Sequence, residues 1–329
     1  MRAPDFWSHT AVSAVDRFLA TALSPIGSIY GAVTVSRATR KPLWQAPVPV
    51  ICVGNAVMGG AGKTQVCLDL ARRLADSNRT VHVLSRGYGG RLTGPLRVDA
   101  QFHRAAEVGD EALVLARHAP TWIGADRTAT ARAAADAGAG LIIMDDGFQN
   151  PALAKDLNLL VIDGGYGFGN GRVCPAGPLR EPAASAFART DAVCVIGTPG
   201  PAMPAIPDEL PVFQARIRPD PSMASLEGKK VIAFAGIGRP EKFFDSLSEA
   251  GADIRKTIGY PDHYQFLDHE LNFLLQSAEE SGAEVVTTEK DHARLSDEYR
   301  NRIVPFPVVL EWDDAAALER FILGRIRLN

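Results

Sequence analysis

Gly54-Asn55-Ala56-Val57-Met58-Gly59-Gly60-Ala61-Gly62-Lys63-Thr64 decides how the rest of the chain is read. It follows an apolar run, Val48-Pro49-Val50-Ile51-Cys52-Val53, and precedes a segment in which Val66, Cys67, Leu70, Ala71 and Leu74 share one helical face. A strand, a glycine-rich turn and Gly-Lys-Thr opening a helix form the setting of a phosphate-binding loop. Glycines let successive N–H groups converge on a phosphate, the helix N-terminus adds partial positive charge, and Lys63 adds a full one. Thr64 can place its hydroxyl on a magnesium ion. The residue six positions before the lysine is Val57 instead of glycine, so the loop is the Gly-Gly-x-Gly-Lys-Thr variant. Val57, Met58, Gly59, Gly60, Ala61, Gly62, Lys63 and Thr64 are the expected nucleoside-triphosphate cradle.

Outward from this loop, residues 47 to about 200 alternate short apolar runs with helical stretches. The runs are 48–53, 81–84, 121–123, 141–144, 157–162 and 192–196, and the helical stretches include 65–76, 110–118 and 126–137. That rhythm predicts a largely parallel sheet with helices on both faces, and in such sheets ligands sit at the carboxyl ends of the strands. Leu141-Ile142-Ile143-Met144 delivers Asp145 and Asp146 to that edge, in the form of a Walker B strand. Magnesium takes oxygen ligands, and a carboxylate beside a triphosphate is their usual source. Asp-Asp-Gly is also good turn chemistry; its position downstream of a phosphate loop favours the metal reading. Gly109-Asp110-Glu111 opens another helix, where acids are favoured for dipole reasons alone. Ser85-Arg86-Gly87-Tyr88-Gly89-Gly90-Arg91 leaves a strand at the same edge and suits an anionic group. Gly177-Pro178-Leu179-Arg180-Glu181-Pro182 reads most simply as a rigid exposed turn.

A proline-rich passage from Pro199 to Pro221 reads as a linker or domain edge. Beyond it the rhythm resumes with a strand at 231–235, helices at 240–250 and 268–281, a strand at 284–287, a last strand near 306–310, and a helical segment from Asp313 to Leu328. This predicts a second, smaller α/β domain. There, Gly236-Ile237-Gly238-Arg239-Pro240 suits an anion, and Pro261-Asp262-His263-Tyr264 carries one of the seven histidines. Thr287-Thr288-Glu289-Lys290-Asp291 lacks the Asn-Lys-x-Asp order of guanine-reading loops, which favours ATP over GTP.

The N-terminus has a different character. Between Arg17 and Arg37 lie 19 uncharged residues, near the length of a transmembrane helix, but Pro25, Gly27 and Gly31 interrupt them. Val12, Val15, Phe18, Ala22, Ile26, Ile29 and Val33 recur at helical spacing. That pattern suits a helix lying in a membrane interface, with Arg37, Arg40 and Lys41 for anionic headgroups. An amphipathic helix packed on its own protein has the same periodicity.

Bulk properties bound the remainder. A chain of 329 residues suggests two domains, and 46% hydrophobic with 22% charged residues is ordinary for a globular fold. A net charge of −3 provides no basic field for nucleic acid. Cys52, Cys67, Cys174 and Cys194 have no metal-ligand spacing and fit a reducing compartment. No cleavable signal peptide is evident.

Taken together, the motifs resemble those of the tetraacyldisaccharide 4′-kinase family, the lipid A 4′-kinases of Gram-negative bacteria. The resemblance rests on the loop, Ser-Arg-Gly-Tyr-Gly-Gly, Gly-Asp-Glu, Asp-Asp-Gly-Phe-Gln, Gly-Pro-Leu-Arg-Glu, Ala-Gly-Ile-Gly-Arg-Pro and Asp-His, in that order along nearly the whole chain. It implies transfer of the γ-phosphoryl group of ATP to the 4′-hydroxyl of a tetraacylated glucosamine disaccharide 1-phosphate, giving lipid IVA. It also implies an α/β fold: a P-loop NTPase domain at 41–212, a smaller C-terminal α/β domain with its linker at 213–329, and an N-terminal membrane-associating amphipathic helix within 1–40. The implied cofactors are ATP and Mg2+, with Thr64, Asp145, Asp146 and Glu181 on the metal. The implied catalytic residues are Asp110 as base, His263 supporting it, and Lys63. Implied partners are the glycolipid and the membrane surface, at the cytoplasmic face of the inner membrane as a peripheral or monotopic protein, with no nucleic acid and no obligate protein partner. Asn150 stands where many members carry histidine, and Tyr264-Gln265 stands where His-Pro is common. The rival reading is a membrane-cycling P-loop ATPase switch; such proteins carry a lysine five positions before the loop lysine, where this chain has Met58.

Overall fold

The computed structural model describes residues 4–9, 13–75 and 79–326. Thirteen strands are β1 Val50–Gly54, β2 Val81–Ser85, β3 Leu96–Arg97, β4 Thr121–Ile123, β5 Leu141–Asp145, β6 Leu157–Asp163, β7 Ala192–Ile196, β8 Val212–Pro219, β9 Lys230–Ala235, β10 Asp253–Gly259, β11 Glu284–Thr288, β12 Val304–Phe306 and β13 Val308–Trp312. Nine form one sheet in the order β13-β8-β7-β6-β1-β5-β2-β4-β3, and four form a second in the order β10-β9-β11-β12. From β8 to β4 every neighbour is parallel; antiparallel β13 and β3 close the two edges. The central strands are apolar along their whole length because both faces are covered. β1, β5 and β7 are buried at every residue.

Every apolar run expected between residues 47 and 200 is a strand. The proline-rich passage is different. Val212–Pro219 is no linker: it pairs with β7 on one side and β13 on the other. Pro211 precedes the strand and Pro219 is its last residue, so neither interrupts it and the missing N–H costs little. The last strand expected near 306–310 is two strands. Val304–Phe306 pairs with β11 in the small sheet, and Val308–Trp312 returns to pair with β8 in the large one. The chain thus leaves the large sheet after β8, builds the smaller lobe, and comes back. A division at 212/213 therefore assigns β8, β13 and the helix Ala315–Arg325 to the wrong sheet; two strands side by side join the lobes.

The N-terminal helix α1, Ala14–Ala38, is capped by Ser13, whose Oγ accepts from the Asp16 N–H. Its packed face is made of small residues: Ala20, Gly27 and Gly31 are buried. A Cβ on Gly27 would lie 2.6 Å from the Val173 carbonyl oxygen, so glycine is what permits this approach. Arg172 donates to the Ala20 carbonyl at 3.1 Å and to Ser24 Oγ at 2.5 Å. The large residues face outward instead, with Val15, Phe18, Ile26 and Ile29 each more than half exposed. The helix thus packs on its own protein through a narrow small-residue face and turns a broad apolar face away from it. Val12 and Leu328 lie outside the described residues.

Candidate active site

The loop between β1 and the helix α2, Lys63–Ala75, is fixed in its first half and open in its second. Met58 N–H donates to the Pro178 carbonyl at 2.7 Å, and Arg180 N–H donates to the Ala56 carbonyl at the same distance. Arg180 Nε donates to the Val57 carbonyl at 3.1 Å. The segment read as an exposed turn is thus stitched against the phosphate loop, and Gly-Pro-Leu-Arg positions that loop. The Met58 N–H is consequently committed to protein. Further along, Gly59 and Gly62 have φ of 114° and 87°, conformations open to glycine. Space beside Gly59 and Gly60 is clear to 4 Å.

At the end of β5 the two acids behave oppositely. Asp145 is buried, and its pKa is pushed up to about 7 by burial first, then by the negative charge of Glu111, with Lys63 opposing. Burial also pushes Asp146 up, but Lys63 and Arg180 outweigh it and leave the carboxyl below its ordinary range. Asp146 Oδ1 lies 2.8 Å from Arg180 Nη1 and 3.6 Å from Lys63 Nζ. Its φ of 52° turns the chain so that consecutive aspartates face one edge. An excess of carboxylate around Asp145 suits a hard cation. Among the described residues no three His, Cys, Asp or Glu side chains form a metal cluster. Magnesium beside a triphosphate does not need one, since it keeps waters and phosphate oxygens as ligands.

Glu181 does not fit the expected metal role. Its side chain has no exposed surface, and Arg189 Nη2 donates to both carboxylate oxygens at 2.7 and 2.8 Å. Gln149 Nε2 adds a bond at 3.1 Å and also holds the Asn55 carbonyl at 3.0 Å. Glu181 anchors Gln149 behind the loop. A carboxylate with both oxygens engaged by a guanidinium in a dry site is a fastener.

Asp110 and His263 come from different lobes and meet, with His263 Nδ1 3.1 Å from Asp110 Oδ2. Asp110 follows Gly109, whose φ is 87° and whose Cβ, were there one, would lie 2.4 Å from the Tyr88 carbonyl oxygen. The Tyr88 ring contacts the His263 ring edge-on at 5.9 Å. Two residues that sequence reading missed complete the group. Arg294 Nε donates to Asp110 Oδ2 at 2.8 Å, while its Nη1 donates to the Gly236 carbonyl at 3.0 Å and to Asp291 at 2.7 Å. Lys290 is ion-paired with Glu111. Lys290 and Arg294 stand four apart in the helix Glu289–Arg294, so one face presents both cations to the first lobe; that spacing was the available signal. Burial opposes ionisation of Asp110, yet His263, Arg294 and Lys290 together hold its carboxyl well below the usual range. His263 is raised above 6.5, chiefly because Asp110 accepts its hydrogen bond. Glu111 links this group electrostatically to the loop, since it feels Lys63 and perturbs Asp145.

The arrangement sets the glycine-rich loop and an acidic strand edge near an ionised carboxylate that the second lobe holds through His263 and Arg294. The family model described as Tetraacyldisaccharide-1-P 4′-kinase matches residues 19–327. Among curated relatives, the tetraacyldisaccharide 4′-kinase of Rhodospirillum centenum is 51% identical over 98% of this chain and 96% of its own. That of Paramagnetospirillum magneticum is 50% identical over 97% of each. The crystal structure of LpxK from Aquifex aeolicus in complex with ATP superposes with a TM-score of 0.74 at 25% identity, covering 94% of this chain and 100% of that one.

Proposed function

The chain belongs to the tetraacyldisaccharide-1-P 4′-kinase family and phosphorylates the 4′ position of a tetraacyldisaccharide 1-phosphate, and we propose that it does so by direct in-line transfer from ATP across the cleft between its lobes. The contact of Asp110 with His263 from opposite lobes is the observation that carries this reading. The amides of the loop's open second half, Lys63 and Arg180 hold the triphosphate. Thr64, Asp145 and Asp146 would hold a magnesium ion, which would supply charge neutralisation to the triphosphate. Asp110 orients the 4′-hydroxyl and accepts its proton as the new P–O bond forms; His263 and Arg294 fix the carboxylate. Glu181 acts at a remove, through Gln149. Closure of the lobes excludes water, which limits wasteful ATP hydrolysis.

The acceptor is a glycolipid, and the outward apolar face of α1 suits a membrane surface. Ala14–Ala38 is long and apolar enough to cross a bilayer, but its buried small-residue face and its proline favour lying in the interface of the cytoplasmic leaflet. Arg37, Arg40 and Lys41 follow for anionic headgroups. Removing residues 1–36 is expected to lower both vesicle binding in sedimentation and transfer to lipid substrate. Unchanged values for both would refute the assignment.

The kinase and the ATPase switch separate on ATP turnover. Labelled phosphate should appear on the disaccharide 1-phosphate, with little ATP consumed in its absence. Hydrolysis driven by membranes alone would instead favour the switch.

A further inference from the structure

The second lobe reaches the phosphate loop at a point away from Asp110. Arg239 precedes the helix Pro240–Glu249, and its Nη2 donates to the Gly60 carbonyl at 3.0 Å. The same nitrogen is ion-paired with Asp163, and the guanidinium lies 5.5 Å from the centroid of the Tyr166 ring. Lys242 donates to the same Asp163 oxygen at 2.6 Å. Asp163 ends β6, the neighbour of β1, so it stands at the carboxyl edge beside the loop.

A fastener between lobes would account for part of this geometry but not all of it. Lys242 already neutralises Asp163, so a second cation is not needed there for charge. Both Arg239 contacts use Nη2, and a guanidinium carries five N–H donors in a fixed fork. Its side chain is 33% exposed, so the fork is within reach of an arriving anion. Gly60 is the fourth of eight cradle residues, in the stretch whose backbone amides face the phosphates in loops of this pattern. The space beside Gly59 and Gly60 is clear. The guanidinium therefore stands at the edge of the loop expected to take the triphosphate.

Resting on the kinase reading above, we infer that Arg239 is an arginine finger supplied in cis by the second lobe. With ATP bound it leaves Asp163 to Lys242 and donates to the γ-phosphoryl oxygens. The bond from γ-phosphorus to the bridging oxygen breaks, leaving ADP. The bond to the sugar oxygen forms, and its proton goes to Asp110. Arg239 donates hydrogen bonds throughout and loses no proton.

The test uses the full chain with Arg239→Ala, Arg239→Lys and Asp163→Asn. It measures affinity for ADP and for a non-hydrolysable ATP analogue by calorimetry, beside transfer to the disaccharide 1-phosphate. Arg239→Ala is expected to keep ADP affinity within about twofold, to lose most of the preference for the ATP analogue, and to lower kcat about 10²-fold. Arg239→Lys, which keeps the charge without the fork, should fall between. Asp163→Asn, which releases the guanidinium from its ion pair, should keep kcat within about threefold. Equal losses in Arg239→Ala and Asp163→Asn with the ATP preference unchanged would make Arg239 a lobe fastener and overturn the inference. An unchanged kcat in Arg239→Ala would overturn it too. Failure of the underlying kinase reading looks different, because the wild-type chain would then bind ATP without labelling this acceptor.

Discussion

Asp110→Asn is expected to lower kcat about 10³-fold while leaving ATP affinity within about twofold. The amide preserves the shape of the side chain and can still meet His263, but it cannot accept a proton. It also leaves the buried Arg294, whose side chain is 4% exposed, with less opposing charge, so some loss of thermal stability is expected beside the kinetic effect. His263 and Arg294 hold Asp110 far below the usual carboxylate range, which makes it a weak base. Phosphoryl transfer tolerates this. In a loose transition state bonding to the nucleophile is weak, so orienting the hydroxyl contributes more than basicity. Phosphorylation assays at saturating ATP, beside calorimetric ATP binding, check the prediction. A variant retaining more than about a tenth of wild-type kcat would remove Asp110 from the reaction.

Lys63→Ala is expected to lower kcat by about 10³-fold and to weaken ATP binding about tenfold. Lys63 is the full positive charge at the opening of α2, and its Nζ lies 3.6 Å from Asp146. Without it, Asp146 retains Arg180 at 2.8 Å and should stay ionised, so the loss belongs to the phosphates and not to the acid. Lys63→Arg should rescue poorly, since a planar guanidinium on a longer reach does not reproduce a compact ammonium. The two variants should also differ in kind. Asp110→Asn spares ATP binding and Lys63→Ala does not, and calorimetry separates them.

The readable and unreadable parts of this protein divide along a physical line. The loop from Gly54 to Thr64 is local. Glycine conformation, helix onset and a lysine are all specified within a dozen residues, and the flanking apolar run defines the strand. The parallel strands up to residue 196 were legible for the same reason, since a strand buried on both faces is apolar throughout, whereas the short, partly exposed edge strand Leu96–Arg97 carries no such run. Glu181 misled because its environment is not local. Nothing nearby in sequence announces that Arg189 will take both of its oxygens and Gln149 one of them. Val212–Pro219 misled because its prolines resemble a linker, and only the return of Val308–Trp312 shows what the strand is for.

Sequence alone determined the chemistry on offer: a glycine-rich loop of phosphate-binding pattern, an acidic strand end further along the chain, an apolar N-terminal helix and an acid–histidine pair of unknown distance. Tertiary structure decided which of these meet. It brought Asp110 to His263 across 153 positions, added Arg294 from 184 positions away, and set Arg239 on the Gly60 carbonyl from 179. Periodicity and propensity act over a few residues. Contacts between lobes depend on how two sheets are joined, and here that junction is the pairing of β8 with β13, neither of which signals its partner.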